Sequence, residues 1–265
     1  MKSLPFLNPA AGSPAVRNPG RPAVIVPTQA IDAEGLAAEC SAAAATGIVD
    51  AVEWRIDPLL ADASGSALTR AEAALRLLPR ALTAGLPILV TVRTGFEGGQ
   101  VEITEDDYAE AVRAMIAGIA EVEGGVLVAV DVEIDRADSG SLIASARESG
   151  VPVVASHHNF EATDSVERLL KTFAAMSEVG ADVAKVAMMP QTPTDVLRLL
   201  EATAAADASS AHPVLGISMG PLGRTSRIMG ADFGSCATFA QIGQASAPGQ
   251  IDAVVLAEIL DRVTG

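Results

Sequence analysis

Eight short runs rich in β-branched residues recur along the 265 residues, each followed by a longer stretch, most of them rich in Ala and Leu, and this alternation constrains the fold most. The runs are AVIVPT (23–28), IVDAVEWRI (48–56), PILVTVR (87–93), VLVAVDVEI (126–134), VPVVASH (151–157), DVAKVAMM (182–189), PVLGISM (213–219) and SCATFA (235–240). In TDSVERLLKTFAAM the apolar residues Val166, Leu169, Leu170 and Phe173 fall on one helical face, with Thr163 placed to cap its start. Tyr108, Val112, Met115, Ile116 and Ile119 repeat the pattern, and Thr192-Pro193 reads as an N-cap followed by a first helical residue. The Gly-rich GPLGRTSRIMGADFG between the last two runs leaves room only for a short helix. Eight strand–helix units predict an α/β fold, a single-domain (β/α)8 TIM barrel spanning 21–265, with a doubly wound open sheet as the runner-up. With 49% hydrophobic but only 3% aromatic residues, the core is expected to be aliphatic. Residues 1–20 hold four prolines and no hydrophobic period, and read as a flexible N-terminal tail.

A formal charge of −15 argues against nucleic acid or an anionic membrane surface as partner, since both bind through excess Lys and Arg. No apolar run is long enough to span a bilayer. Two cysteines, Cys40 and Cys236, are too few for a disulfide framework and do not read as a metal site, and no secretory segment is evident. A soluble, cytoplasmic protein is the expectation.

Side chains alternate across a strand, and the apolar face of each run belongs under helices. Glu53, Arg55 and Asp57 therefore point into the lumen, as do Thr91 and Arg93, Asp131 and Glu133, and Val183 and Lys185. Buried charges cost several kcal/mol each, roughly, unless paired. A lumen with acids and bases on four strands is better explained as a site than as a core, the alternative being an ion-pair plug. Lys185 is one of three lysines against fifteen arginines, and the only one in an apolar strand. A desolvated lysine can lose its proton and attack a carbonyl, which arginine cannot do. His157 and His158 must point to opposite sides of their strand, so one is a candidate general base; periodicity alone does not say which.

Seven ordered motifs, EWRID (53–57), TVRTGFEGG (91–99), SHHNF (156–160), KVAMMPQTPTDVLRLL (185–200), GISMGPLGRTSR (216–227), FGSCATFA (233–240) and ASAPGQ (245–250), resemble the type I 3-dehydroquinate dehydratase family. The resemblance covers Ala23 to the end of the chain. It implies a (β/α)8 barrel, commonly a homodimer, that removes water from the small molecule 3-dehydroquinate in the shikimate pathway with neither metal nor organic cofactor. Position by position, it implies Lys185 as the Schiff-base residue, His158 as the catalytic histidine and Glu97 as the acid that assists it. It further implies Glu53, Arg55, Arg93, Arg227, Ser246 and Gln250 as substrate contacts, with Arg227 on the carboxylate. The chain departs from the family pattern at Asn159, at Thr163-Asp164 and at Pro27. A Schiff-base aldolase would share Lys185 without needing the Arg227, Ser246 and Gln250 set. A non-catalytic carboxylate-binding barrel would share the arginines without needing the lysine and histidine.

Overall fold

The computed structural model describes residues 1–62, 64–123, 127–243 and 245–264. Its strands are β1 (Ala23–Thr28), β2 (Ala51–Arg55), β3 (Ile88–Thr91), β4 (Val128–Glu133), β5 (Val153–Asn159), β6 (Val183–Met188), β7 (Val214–Ser218), β8 (Ala237–Gln241) and a short β9 (Ile251–Asp252). All pairings are parallel, in the order β7-β6-β5-β4-β3-β2-β1-β8-β9. The curled sheet is drawn together between β7 and β8, where the Cys236 N–H donates to the Val214 carbonyl at 2.9 Å and the Gly216 N–H to Ser235 Oγ at 3.1 Å. The fold is thus a (β/α)8 barrel, and each of the eight predicted runs contains or overlaps a strand. Position 126, where the fourth run begins, and position 265, the end of the predicted barrel, lie outside the described residues.

The helices are α1 (Pro14–Arg17), α2 (Ala33–Ala45), α3 (Asp57–Asp62), α4 (Ala67–Leu75), α5 (Leu78–Leu82), α6 (Glu105–Ala120), α7 (Ser139–Glu148), α8 (Val166–Glu178), α9 (Pro193–Ser209), α10 (Arg224–Ile228) and α11 (Ala253–Val263). The predicted stripe of α6 is fully buried. Helix α9 starts at Thr192-Pro193 as expected, with Asp195 accepting the N–H groups of Gln191 and Thr192 at 2.8 and 2.9 Å. The cap of α8 differs from expectation. Ser165, not Thr163, accepts the Arg168 N–H, because the helix begins one residue after Ser165.

Strand parity sorts the interior into two regions. Val52, Trp54, Val90, Val130, Val132, Ala184 and Val186 face the helices in one apolar layer. Ile25, Leu89, Ala129, Val154, Val183 and Leu215 fill the lower lumen, while the charged residues lie nearer the C-terminal strand ends. Residues 1–20 do not behave as a tail apart from the fold. Leu4, Phe6, Leu7 and Ala15 join the lower-lumen cluster, Phe6 being wholly buried. The apolar floor of an open barrel would otherwise face water, and these side chains cover it. Lys2 Nζ on Asp207 Oδ1 at 2.8 Å and the Ala15 N–H on Asp50 Oδ1, also at 2.8 Å, fasten the segment. Phe6→Ala should therefore destabilise the protein by about 3 to 5 kcal/mol. Denaturant melts of the two proteins check this, and an unchanged midpoint contradicts the packing described.

Candidate active site

The upper lumen opens into a cleft of about 520 Å³ lined by Glu53, Arg55, Arg93, Glu97, His158, Lys185, Arg227, Ser246 and Gln250, together with Phe160, Phe239 and other residues. Every site residue expected from the sequence is therefore in one place. They come from six strands or the loops after them, at the barrel end where such sites form.

Lys185 projects from the middle of β6 and is buried. Its Nζ lies 3.7 Å from Glu53 Oε1 and 3.9 Å from Asp131 Oδ2, too far for a direct hydrogen bond, and 4.6 Å from the centre of the Phe239 ring. Burial lowers its pKa from the ordinary lysine value, opposed by the charges of Glu53 and Asp131. The amine is thus held by charge and by an aromatic face but clamped by neither carboxylate.

The two histidines part as strand alternation requires. His158 enters the cleft, two residues above the level of Lys185 on the neighbouring strand. Its Nδ1 is 2.7 Å from Glu97 Oε2, and its Nε2 has no hydrogen-bond partner among the described residues. His157 points to the other side, with Nδ1 2.6 Å from Asp135 Oδ2. Burial and the cations Arg93, Lys185 and Arg55 hold the His158 pKa well below the imidazole range, so its ring is neutral near pH 7. Burial raises the Glu97 pKa from the ordinary carboxylate value, with the charge of Arg93 opposing the rise. Glu97 owes its position to the turn that follows it: Gly98 has φ +79°, and a Cβ there would strike the Phe160 ring.

Arg93 ties this assembly together. Nη1 donates to Glu97 Oε2 at 2.8 Å, Glu133 Oε1 at 3.0 Å and Ser156 Oγ at 3.1 Å, while Nη2 donates to Asp131 Oδ1 at 2.8 Å. Glu133 also accepts from the Thr94 N–H and hydroxyl and from Arg136 Nε, and Arg136 reaches outward to Glu105. Arg55 is likewise committed, gripping Asp57 through Nε at 2.6 Å and Nη2 at 2.7 Å. Two of the three arginines expected as substrate contacts, Arg93 and Arg55, thus pair with protein carboxylates while lining the cleft. The signal available in the sequence was the excess of inward acids on β2 and β4, whose pairing needs cations. Asp57, Asp131, Glu133 and Ser156 complete the site from positions not assigned a role in it.

Arg227 is the opposite case. Its side chain is buried, yet among the described residues it meets only the carbonyl oxygens of Phe239 at 3.2 Å and Pro248 at 3.0 Å, and its Nε has no partner. With no counter-charge beside it among the described residues, burial pulls its pKa down to about 10, still well above neutral. The loop bearing Ser246 and Gln250 closes over it. Ser246 N–H donates to Gln250 Oε1 at 2.9 Å, and Gln250 Nε2 donates to Ser246 Oγ at 3.0 Å. Gly249, at φ +77°, lies against the Gly220 backbone so closely that no Cβ fits. The arrangement offers a nucleophilic amine, a proton acceptor and an anion-binding cation inside one cleft.

A barrel so equipped belongs to the enzymes that work on a carbonyl compound bearing a negative charge. Residues 24–264 match the type I 3-dehydroquinase family. The chain is 39% identical over 225 residues to the 3-dehydroquinate dehydratase of Klebsiella pneumoniae (strain 342), covering 82% of this chain and 85% of that one. It superposes on the crystal structure of 3-dehydroquinate dehydratase from Geobacillus kaustophilus HTA426 with a TM-score of 0.81 at 31% identity, over 91% of each chain. It also superposes on the type I 3-dehydroquinate dehydratase from Clostridium difficile, described with covalently modified comenic acid. The TM-score is again 0.81, at 29% identity over 92% of this chain and 93% of that one. The chain belongs to the type I 3-dehydroquinase family and is a hydro-lyase. No helix among the described residues is long and apolar enough to cross a membrane.

Removing the central cation should leave three buried carboxylates facing one another without it. Arg93→Met is expected to cost about 3 to 5 kcal/mol of folding stability. Thermal or denaturant unfolding of the purified variant checks this, and wild-type stability would mean that the network is not held by Arg93.

Proposed function

We propose that this protein removes water from 3-dehydroquinate to give 3-dehydroshikimate through an imine on Lys185, a step of the shikimate pathway to aromatic amino acids. The observation that carries the reading is the buried, unclamped amine of Lys185 in the same cleft as the His158–Glu97 pair and the unpaired Arg227. Family membership supports the substrate. The same likeness supports a cytoplasmic homodimer that needs no metal or organic cofactor.

In this reading the neutral Lys185 amine attacks the ketone carbon and the carbonyl oxygen leaves as water, forming the C=N bond. The protonated imine draws electrons more strongly than a ketone and acidifies the neighbouring C–H. His158 Nε2 takes that proton while Nδ1–H is oriented by Glu97. The electron pair of the broken C–H bond forms the new C=C bond, and the hydroxyl one carbon further on leaves, taking a proton from His158 as water. A second water hydrolyses the imine and frees the lysine. Arg227 holds the substrate carboxylate by charge and fork geometry, under a lid formed by the Ser246–Gln250 loop. Glu53, Arg55 and Arg93, which line the cleft, contact the substrate in this reading, and Arg93 also positions Glu97. The set around Arg227 favours this reaction over an aldolase cleavage.

Lys185→Met keeps the bulk and loses the amine, so it should fold and lack turnover. His158→Ala should slow turnover by roughly 100-fold or more, while His157→Ala keeps most of it. Arg227→Ala should weaken substrate binding by about 2 to 5 kcal/mol. Steady-state kinetics with melting curves check all four, and near-normal turnover in Lys185→Met contradicts the reading. Glu53 raises the lysine pKa against the burial that lowers it. In Glu53→Gln the rising limb of kcat/KM assigned to the amine should therefore move to lower pH, and a shift to higher pH contradicts that assignment.

A further inference from the structure

Beside the cleft, on the outer side of His158, Glu97, Asp135 and His157 each bring one ligand atom within 4.8 Å of the others. The feature that points to a ligand is on Glu97. Glu97 is buried, and its Oε1, the oxygen not used by His158 or Arg93, has no hydrogen-bond partner among the described residues. His157 Nε2 is also buried without a partner, lying 4.0 Å from Asp164 Oδ2. Tetrahedral zinc with nitrogen and oxygen ligands sets its donors about 3.4 Å apart, from bond lengths of roughly 2.1 Å. Donors as far as 4.8 Å apart need to close by about 1.4 Å, and the His157 Nδ1–Asp135 Oδ2 pair, at 2.6 Å, needs to open by about 0.8 Å; Asp135 is half-exposed on its loop.

We propose that Glu97, Asp135 and His157 form an inhibitory site for a divalent transition-metal ion of the zinc class, with water completing the coordination. The ion takes the place of the proton between His157 Nδ1 and Asp135 Oδ2 and binds Glu97 Oε1. Asp164 then faces the Nε2–H of His157, the kind of outer carboxylate that metal-bound imidazoles commonly use. One imidazole and two carboxylates favour zinc over magnesium, which prefers all-oxygen octahedral ligation. Metal charge on Glu97 withdraws the support it gives His158, so occupancy slows proton removal. This last consequence rests on the proposed role of His158; the metal site itself does not.

The test is calorimetric titration of the metal-stripped protein with zinc chloride and with magnesium chloride, alongside turnover, for wild type, His157→Phe and Asp135→Asn. Wild type is expected to bind one zinc per chain, to lose at least tenfold in turnover when saturated, to ignore magnesium and to recover with a chelator. Both variants should keep basal turnover and bind zinc roughly 100-fold more weakly. Zinc binding that persists in both variants, or that leaves wild-type turnover unchanged, overturns the proposal. Zinc bound in a wild-type protein with no dehydratase activity would instead refute the reaction while the site stands.

Discussion

One guanidinium organises the upper half of this barrel. Arg93 lies in the lumen and reaches Glu97 on its own loop, Asp131 and Glu133 on β4, and Ser156 on β5. None of these acids would remain buried and charged alone, because an unpaired ion in the interior costs several kcal/mol, roughly. Shared among them, the single cation fixes where each carboxylate points. Glu97 is left with Oε2 against His158, and Asp131 with Oδ2 towards Lys185. The positions of the His158–Glu97 pair and of the charged surroundings of the Lys185 amine thus follow from one buried hub. Arg136, stacked between Phe96 and Tyr108, extends the hub to the surface through Glu133 and Glu105.

The distribution of charge answers how a chain with a formal charge of −15 can take an anionic ligand. Cations near the strand ends divide into those already neutralised, Arg93 and Arg55, and one that is not, Arg227. Of these three, Arg227 alone has no carboxylate partner among the described residues, and it lies in a site shielded from solvent, where an ion pair is screened far less than at the surface. The acidic exterior does not oppose this, since screening removes distant charges within about one Debye length of 8 to 10 Å.

Much of this was legible before the structure. Alternation along EWRID and VAVDVEI was enough to send charges inward and β-branched residues under the helices, because a period of two leaves no other way to bury both faces. Which histidine mattered was not legible from parity, since parity only separates them. What distinguishes His158 in the structure is its place in the cleft and its contact with Glu97, sixty-one residues away on another loop. The N-terminal segment escaped detection because Leu4, Phe6 and Leu7 follow no local period; what they cover is the floor of a barrel assembled from distant strands. Sequence order does not reveal that Arg93 and Arg55, besides lining the cleft, pair with carboxylates from β4, from the loop after β3 and, for Arg55, from the start of α3. The cap at Ser165 rather than Thr163 was a local choice between two competent residues, settled by where α8 begins.

The central claim is that the Lys185 amine bonds covalently to the carbon of the substrate's ketone. The most direct measurement is mass analysis of the protein reduced with borohydride in the presence of 3-dehydroquinate, followed by peptide mapping. The account predicts one stable adduct per chain, on the peptide containing Lys185. An unmodified protein under turnover conditions, or an adduct on Lys2 or Lys171, would contradict it.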